Sequence, residues 1–356
     1  MTLLRGYIVG AVLRGVALVL TVLVVVSAAI ELVGQLDDVG TGEYDLRTAL
    51  TFVALRVPRT VFTTLPIAAL IGGLLSLGNL AVHRELVVMR ASGVSSWQLL
   101  SAVGLAGFAL AVLMVLLGES LGPSLGAYAS ELRTRAMNED IAVAKGQATW
   151  LRDGGRILSL RRQAGDLGYG AGVLLFEVGP DQVLKAVARA DSAGLDSANR
   201  WVLANYGETV FEDSGVAIRS ERESAEAYNL NPDLLELSIV REDLLDTPSL
   251  QRYIRYLRAN DLDPHRYLVA YWSRIASVAS VVLMTILALP FVFGSLRSAG
   301  AGARLVVGLI IGLSYYVLGQ VLTTGGAVYG LPPLAIAFAP SALLVVVTVV
   351  AFTRVR

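Results

Sequence analysis

The chain has 356 residues, of which 55% are hydrophobic and 16% are charged, and its mean hydropathy is +0.64. Soluble domains are about 45–50% apolar and about 25% charged. The excess lies in blocks without any Asp, Glu, Lys or Arg, at 60–82, 91–118, 275–296 and 305–353. Because about 20 apolar residues cross a membrane, these blocks exclude a purely soluble enzyme.

Charge and side-chain chemistry exclude further classes. Basic and acidic residues both total 29, so no net basic field draws the chain to nucleic acid. Cysteine is absent, and His83 and His265 lie far apart, which argues against thiolate or metal chemistry. The only lysines, Lys145 and Lys185, fall outside any phosphate-binding G-x-x-x-x-G-K-[ST] loop. We therefore expect this chain to bind no cofactor and to hydrolyse no ATP itself.

Six membrane spans are predicted. The first is too long for the 7–15-residue apolar core of a signal peptide, so we interpret it as an uncleaved span. A turn at 324–332, rich in glycine, separates the last two spans. The predicted spans are Gly15–Val33, Leu50–Val82, Leu99–Leu121, Tyr267–Phe293, Leu305–Thr323 and Pro333–Phe352.

A polar block at 122–266 separates the third and fourth spans and carries 17 basic and 22 acidic residues. Short β-type runs at 156–162, 172–178 and 200–206 alternate with polar or glycine-rich turns. This pattern predicts an antiparallel sandwich or open barrel over 122–248.

A helical period follows the β-type runs, within a predicted connecting helix at 249–266. Its apolar residues fall at i, i+3, i+4 and i+7, with three arginines on another face. We favour a helix in the membrane interface over one packed on the β domain. The apolar residues are Leu250, Tyr253, Ile254 and Leu257.

Arginine bias predicts the orientation. One set of connections is basic and carries Arg5, Arg84, Arg90, Arg297, Arg304, Arg354 and Arg356. The 34–48 connection carries Asp37, Asp38, Glu43 and Asp45 against Arg47 alone. Both termini are therefore predicted to face the cytoplasm, and the β domain the periplasm of a Gram-negative cell.

Three features point to function. Ionisable residues lie at predicted span ends, namely Glu31, Arg56, Arg59, Glu119 and Arg274. Of these, Arg56 and Arg59 could meet anionic headgroups or phosphate.

A short apolar segment at 84–93, charged at both ends, predicts a cytoplasmic helix that docks into a partner's groove, or a turn lying flat under the bilayer. Gly308 and Gly312 have the spacing of close helix packing.

The sequence resembles the LptF/LptG family of lipopolysaccharide exporter permeases over essentially the whole chain, and its LptG type in particular. The resemblance implies three spans, a periplasmic β-jellyroll and three further spans, with 84–93 as a coupling helix. The matching stretches are Gln35-Leu36, Gly42-Glu-Tyr-Asp45, Glu85-Leu-Val-Val-Met-Arg-Ala-Ser-Gly93, Pro290-Phe-Val-Phe-Gly-Ser-Leu-Arg-Ser298, Gly302-Ala-Arg304 and Tyr329-Gly-Leu-Pro-Pro333.

The resemblance also implies partners: an LptF-like paralogue, an LptB-like ATPase dimer and an LptC-like single-span protein. ATP and Mg would be used by the ATPase alone. As a non-catalytic subunit of this ABC transporter in the inner membrane, the chain would extract lipopolysaccharide from the outer leaflet and pass it to a periplasmic bridge. That transport would serve outer membrane biogenesis.

The same resemblance assigns candidate site residues. The ATPase-coupling residues are Glu85, Leu86, Val88, Met89 and Arg90, and the close-packing residues at the lateral gate of spans one and five are Gly308 and Gly312. Candidate substrate contacts are Glu31, Asp37, Arg56, Arg59, Tyr316 and Gln320. Several LptG-type members carry lysines at the outer end of span one and shortly after it, whereas the corresponding stretch here has Glu31, Asp37 and Asp38. Phosphate contacts would therefore fall to Arg59 and Arg56, to bridging divalent cations or to the LptF-like partner.

Three alternatives stay open at this stage. The chain could be a permease for another lipid, an intramembrane lipid-modifying enzyme, or a structural or sensory anchor. An enzyme should show catalytic polar residues at membrane depth, whereas the apolar blocks contain no charged ones. An anchor would need neither a coupling helix nor an ATPase.

Overall fold

The computed structural model describes residues 2–137, 148–153, 155–161, 169–179, 183–195, 201–212, 215–226, 245–294 and 299–354. Several predictions above rest partly on residues outside these ranges, namely Lys145, Arg162, Arg200, 295–298 and Arg356. The chain divides into two compact units. We call Met1–Val39, Asp45–Ser130 and His265–Arg356 the helical unit, and Gly40–Tyr44 with Glu131–Pro264 the sheet unit.

The elements follow one another in a simple order, with a β region inserted between two sets of helices. In chain order they are α1 (Thr2–Leu36), α2 (Leu46–Val82), α3 (Glu85–Ala91), α4 (Ser96–Leu116), a π-helical turn (Leu117–Leu121), α5 (Gly122–Ala136), β1 (Ala148–Asp153), β2 (Arg156–Arg161), β3 (Tyr169–Val178), β4 (Leu184–Leu195), β5 (Trp201–Glu212), β6 (Gly215–Glu226), α6 (Thr247–Ala259), α7 (His265–Phe293), α8 (Ala301–Val328) and α9 (Pro333–Arg354).

Within the described residues, six helices are long and apolar enough to cross a membrane, which confirms the six predicted spans. Their ends differ from the sequence boundaries. The first helix begins at Thr2 instead of Gly15, and α8 runs past the predicted Thr323 to Val328. The turn between the last two spans is correspondingly shorter. Hydropathy finds the part of a helix that the membrane requires and misses the turns that extend beyond it.

The third span differs most. The structure continues it from Ser96 through the π-helical turn and α5 to Ala136, whereas the sequence predicted its end at Leu121 and the β domain from residue 122. Pro123 is tolerated because it lies in the first turn after the π-helical turn, where the regular hydrogen bonding is already interrupted. At 1.5 Å per residue, these 41 residues span about 60 Å, roughly twice the hydrocarbon core.

Helix α2 is the centre of the helical core, because 67% of its most apolar stretch is buried. Leu70, Leu74 and Leu77 are inaccessible to solvent and belong to a core shared with α1, α4 and α7. The approach of α1 depends on Gly72, where a Cβ would lie 2.4 Å from the Val16 Cα. A larger residue at Gly72 would force these two helices apart.

The six described strands form one antiparallel sheet in the order β1-β2-β3-β4-β5-β6, so that each strand pairs with its sequence neighbours. Its buried face carries Leu158, Val173, Leu175 and Leu203. The predicted all-β insertion between two helical parts is therefore confirmed. Jellyroll-like closure of this sheet stays a prediction.

Helix α6 corrects the favoured placement in the membrane interface. Its apolar face is buried within the protein, with Leu250 fully inaccessible. Tyr256 packs against the sheet core, donates a hydrogen bond of 2.8 Å to the Arg152 carbonyl and accepts one of 3.1 Å from the Arg152 N–H. The apolar face of this helix is therefore buried within the protein, which leaves no such face for lipid.

Candidate functional sites in the helical unit

The helical unit has two chemically different ends. At one, which we call the loop-helix end, the start of α1 meets α3 and the start of α4. Tyr7 contacts Glu85 there, and Leu4, Arg5 and Ile8 line a small hollow with Val94, Gln98 and Leu99. At the other, which we call the far end, Glu31 meets Arg56, Glu119 meets Arg274, and His265 Nε2 lies 2.8 Å from the Leu331 carbonyl oxygen.

Helix α3 is confirmed as a short helix between two spans, and its local sequence explains its bounds. Arg84, just before it, adopts a left-handed conformation with φ of 62°. Gly93 follows it with φ of 89°, which favours glycine. Ser95 then begins α4 with a capping box: its hydroxyl accepts from the Gln98 N–H, and its own N–H donates to the Gln98 side chain. The chain thus turns sharply twice and isolates α3.

The predicted coupling residues of α3 are partly buried in the protein and partly exposed. Leu86 is 1% exposed and belongs to the helical core, and Met89 is partly buried against that core. Val87 and Val88 are 46% and 62% exposed. The apolar surface that α3 offers is therefore Val87 with Val88, while Leu86 and Met89 fix the helix to the bundle.

A groove runs between α3 and the end of α7. It is lined by Ala81, Leu86, Val87, Arg90, Ala91, Val292 and Phe293. The Arg90 guanidinium lies over the Phe293 ring, 5.6 Å from its centroid, which is a cation–π geometry. Arg90 is thus held against α7, where it contributes a cation to the groove wall.

Glu85 is the only acidic residue in the segments that build the loop-helix end. Positions 1–30, 60–118 and 275–356 contain no other Asp or Glu, whereas Arg5, Arg84, Arg90 and Arg304 all belong to them. The Tyr7 hydroxyl donates a hydrogen bond of 2.7 Å to Glu85 Oε2. Sequence reasoning singled out Glu85 but missed Tyr7, since nothing in an apolar helix 78 residues away indicates a contact.

The far end brings together three of the six predicted substrate-contact residues. Glu31 of α1 forms an ion pair with Arg56 of α2, with side chains 20% and 34% exposed. The Arg56 guanidinium also lies 5.3 Å from the centroid of the Phe52 ring. Arg59 follows one turn later on α2 and is half-buried. Arg56 therefore already has a carboxylate partner, so an anionic ligand that binds Arg56 competes with Glu31.

The other three predicted substrate-contact residues lie elsewhere. Asp37 is exposed in the turn after α1, beyond the Glu31–Arg56 pair. Tyr316 and Gln320 lie four residues apart on α8 and are both exposed, so they share one face of that helix. The structure thus separates the predicted residues into an ionic cluster, an exposed turn and an exposed helix face.

A second ion pair at the far end involves the π-helical turn. Glu119 lies in this turn, 3.9 Å from Arg274 of α7, and the Arg274 side chain is only 15% exposed. The turn approaches α2 closely, because a Cβ at Gly118 would lie 2.3 Å from the Phe62 ring. The sequence predicted Glu119 and Arg274 at span ends, but their pairing depends on a π-helical turn that no sequence period reveals.

Gly308 and Gly312 do mark a close helix contact, within this chain. A Cβ at either glycine would lie 2.9 Å from an Ile side chain of α2, Ile71 or Ile67. Their role in a lateral gate stays a prediction.

Helices α1 and α8 are the most exposed of the six long helices. In each, only 11% of the most apolar stretch is buried, against 67% in α2. Leu18, Ile30 and Val321 are at least 60% exposed. Such apolar faces require lipid or another apolar surface.

Within the described residues, no group of three or more His, Asp or Glu side chains is placed to hold a metal ion. The expectation that this chain binds no cofactor stays a prediction.

Comparison with known proteins identifies the family. The family model described as "Lipopolysaccharide export system permease LptF/LptG" matches residues 6–354. The chain is 34% identical to the lipopolysaccharide export system permease protein LptG of Escherichia coli (strain K12), over 95% of this chain and 94% of that protein. It is 32% identical to the LptG protein of Haemophilus influenzae, over 96% of both chains.

These matches confirm the resemblance and decide between the alternatives. The family is a transport family without catalytic activity, so the lipid-modifying enzyme and the anchor are set aside. The helices described above make the chain a multi-pass membrane protein. The chain belongs to the LptF/LptG family of lipopolysaccharide export system permeases.

Proposed function

We propose that this chain is the LptG-type half of an ATP-driven exporter in the inner membrane. It pairs with an LptF-like paralogue above an LptB-like ATPase dimer, with an LptC-like protein alongside. The complex lifts lipopolysaccharide from the outer leaflet and passes it to a periplasmic bridge. Helix α3 is the single observation that carries this proposal, since it provides a compact site through which an ATPase can move the helices.

Three properties make α3 a suitable docking element. Glu85 offers a lone negative charge to a cationic partner, Val87 and Val88 offer exposed apolar surface, and Leu86 anchors the helix in the core. A force applied to α3 therefore reaches α2 and α4 through packed side chains and short connections. Helix-in-groove docking of this kind combines an apolar contact with charge complementarity.

The arginines of the loop-helix end support a cytoplasmic position for that end, because cytoplasmic connections of membrane proteins are enriched in Arg and Lys. An even number of spans returns both termini to the same side. The sheet insertion follows the far end along the chain and is therefore assigned to the periplasm. The ATPase and the substrate are thus assigned to opposite ends of the helical unit.

The exposed faces of α1 and α8 support a substrate path along these helices. Apolar faces suit acyl chains, and Tyr316 with Gln320 adds polar groups for a headgroup on the exposed face of α8. Arg59 and Arg56 supply cations at the far end, where guanidinium groups can bind phosphate in a bidentate manner. Both an apolar wall and phosphate contacts are required by a phosphorylated glycolipid.

Glu85→Lys tests the proposal, because it replaces the lone acid of the loop-helix end with a cation. We expect ATPase activity and lipopolysaccharide release by the reconstituted complex to be abolished, with the chain still inserted and paired with its paralogue. The matched control is Glu43→Lys, a charge reversal at an exposed site in the connection after α1. Normal ATP-coupled release by Glu85→Lys would rule out α3 as the coupling helix.

A further inference from the structure

Tyr7 makes a contact that the function of α3 does not by itself require. It lies in the second turn of α1, and its hydroxyl donates to Glu85 Oε2 at 2.7 Å across 78 residues of sequence. Within the described part of the chain, no other side chain hydrogen-bonds Glu85. The contact therefore joins α1, one of the two most exposed long helices, directly to the first residue of α3.

The chemistry of this hydrogen bond leaves Glu85 able to bind a partner. A phenol is a neutral donor, so it does not cancel the carboxylate charge as an arginine would. An ionised carboxylate has two oxygens and about four acceptor positions, and Tyr7 occupies one of them on Oε2. Oε1 stays available for a cation of a partner, while the bond to Tyr7 restricts the rotamers of Glu85.

The rest of α3 does not fix the rotamer of the Glu85 side chain. Leu86 and Met89 fix the position of the helix through the core, but their apolar side chains have no donor for the Glu85 carboxylate. Arg84 precedes the helix in a left-handed conformation without a side-chain capping bond. A Glu side chain at the first position of a seven-residue helix has three rotatable bonds, so its direction depends on the contact with Tyr7.

We propose that Tyr7 is a positioning residue for ATPase coupling. It holds the Glu85 carboxylate in the direction in which the ATPase engages it, and it ties α1 to the docking contact. This inference rests on the proposed function of α3. Tyr7 itself touches neither nucleotide nor lipid in this role, and it acts through Glu85 alone.

The test is a double-mutant cycle on the affinity of the ATPase subunit for the purified pair of permeases in nanodiscs. Tyr7→Phe removes only the hydroxyl, and we expect it to raise the Kd about threefold to tenfold, as for loss of one hydrogen bond. In a Glu85→Ala background the same change should alter the Kd less than about twofold, because no carboxylate remains to be positioned. The control Tyr128→Phe, at a 55% exposed ring of α5, should leave the Kd unchanged.

Each result has a defined consequence. An unchanged or tighter Kd for Tyr7→Phe, or an equal loss in both backgrounds, overturns the role of Tyr7 while leaving α3 as the docking element. An unchanged Kd for Glu85→Ala overturns the proposed function of α3 as well. Equal thermal midpoints of the permease pairs exclude unfolding as the cause of any loss.

Discussion

The two ends of the helical unit hold their carboxylates in opposite ways. At the loop-helix end, Glu85 accepts a hydrogen bond from the neutral Tyr7 hydroxyl. At the far end, Glu31 and Glu119 each lie against an arginine, Arg56 and Arg274. One end therefore presents the Glu85 carboxylate to a partner, whereas the other pairs Glu31 and Glu119 with arginines of the same chain.

This difference fits the two roles proposed for these ends. A docking end needs a charge that is held in place but still attractive to a partner, and a neutral donor provides that. A substrate end that binds phosphate needs cations whose affinity for phosphate is limited, because a bound lipid must also be released. Ion pairs of partly exposed groups contribute only about 0–1 kcal/mol, so an incoming phosphate can displace them.

The largest effect that would sharpen this comparison is expected from Arg59→Glu. The change removes a half-buried cation of α2 and adds an acid one turn from the Glu31–Arg56 pair. We expect lipopolysaccharide binding to weaken by roughly 1–3 kcal/mol, the range for a charged hydrogen bond. The loss of binding is measured by photocrosslinking to lipopolysaccharide at neighbouring sites. Arg14→Glu, on α1 towards the loop-helix end, is the control, and equal crosslinking of the two variants would count against a phosphate contact at Arg59.

A smaller effect of opposite sign is expected from Glu31→Gln. The change removes the negative charge that engages Arg56 and keeps a side chain of similar size. Lipopolysaccharide binding should then tighten by up to about fivefold, because a partly exposed ion pair of up to about 1 kcal/mol no longer competes. Slower release per ATP hydrolysed should accompany it. Weaker binding would show instead that Glu31 itself contacts the substrate, through a divalent cation.

The sequence predicts the parts of this comparison that depend on local chemistry. Hydropathy locates six spans, and the charged ends of 84–93 locate α3. The ion pairs and the Tyr7 contact could not be predicted, because they depend on which helices pack together.

Strand β4 shows a similar limit: its buried positions, Ala186, Ala188 and Ala190, alternate as a strand requires, but alanine favours helices and is too small to mark a strand. The burial of Leu86 could not be predicted either, because seven residues are too few to define an apolar face.

The smallest expected effect concerns a fourth carboxylate, Asp45, which accepts hydrogen bonds from two neutral donors of Thr48. Asp45 caps α2, and hydrogen bonds from the backbone N–H and the hydroxyl of Thr48, both 2.8 Å, lower its pKa below the usual value. A lowered pKa means that the capping contribution is complete above the pKa of the unfolded chain and is lost as the pH falls through the folded value. Asp45→Asn keeps a capping oxygen but does not titrate. The difference in thermal midpoint between wild type and this variant should therefore be constant from pH 7 to pH 5. As the pH falls further towards 3, the midpoint of the wild type should fall relative to that of the variant. A difference that stays constant down to pH 3 would show that the Thr48 donors do not favour the ionised form.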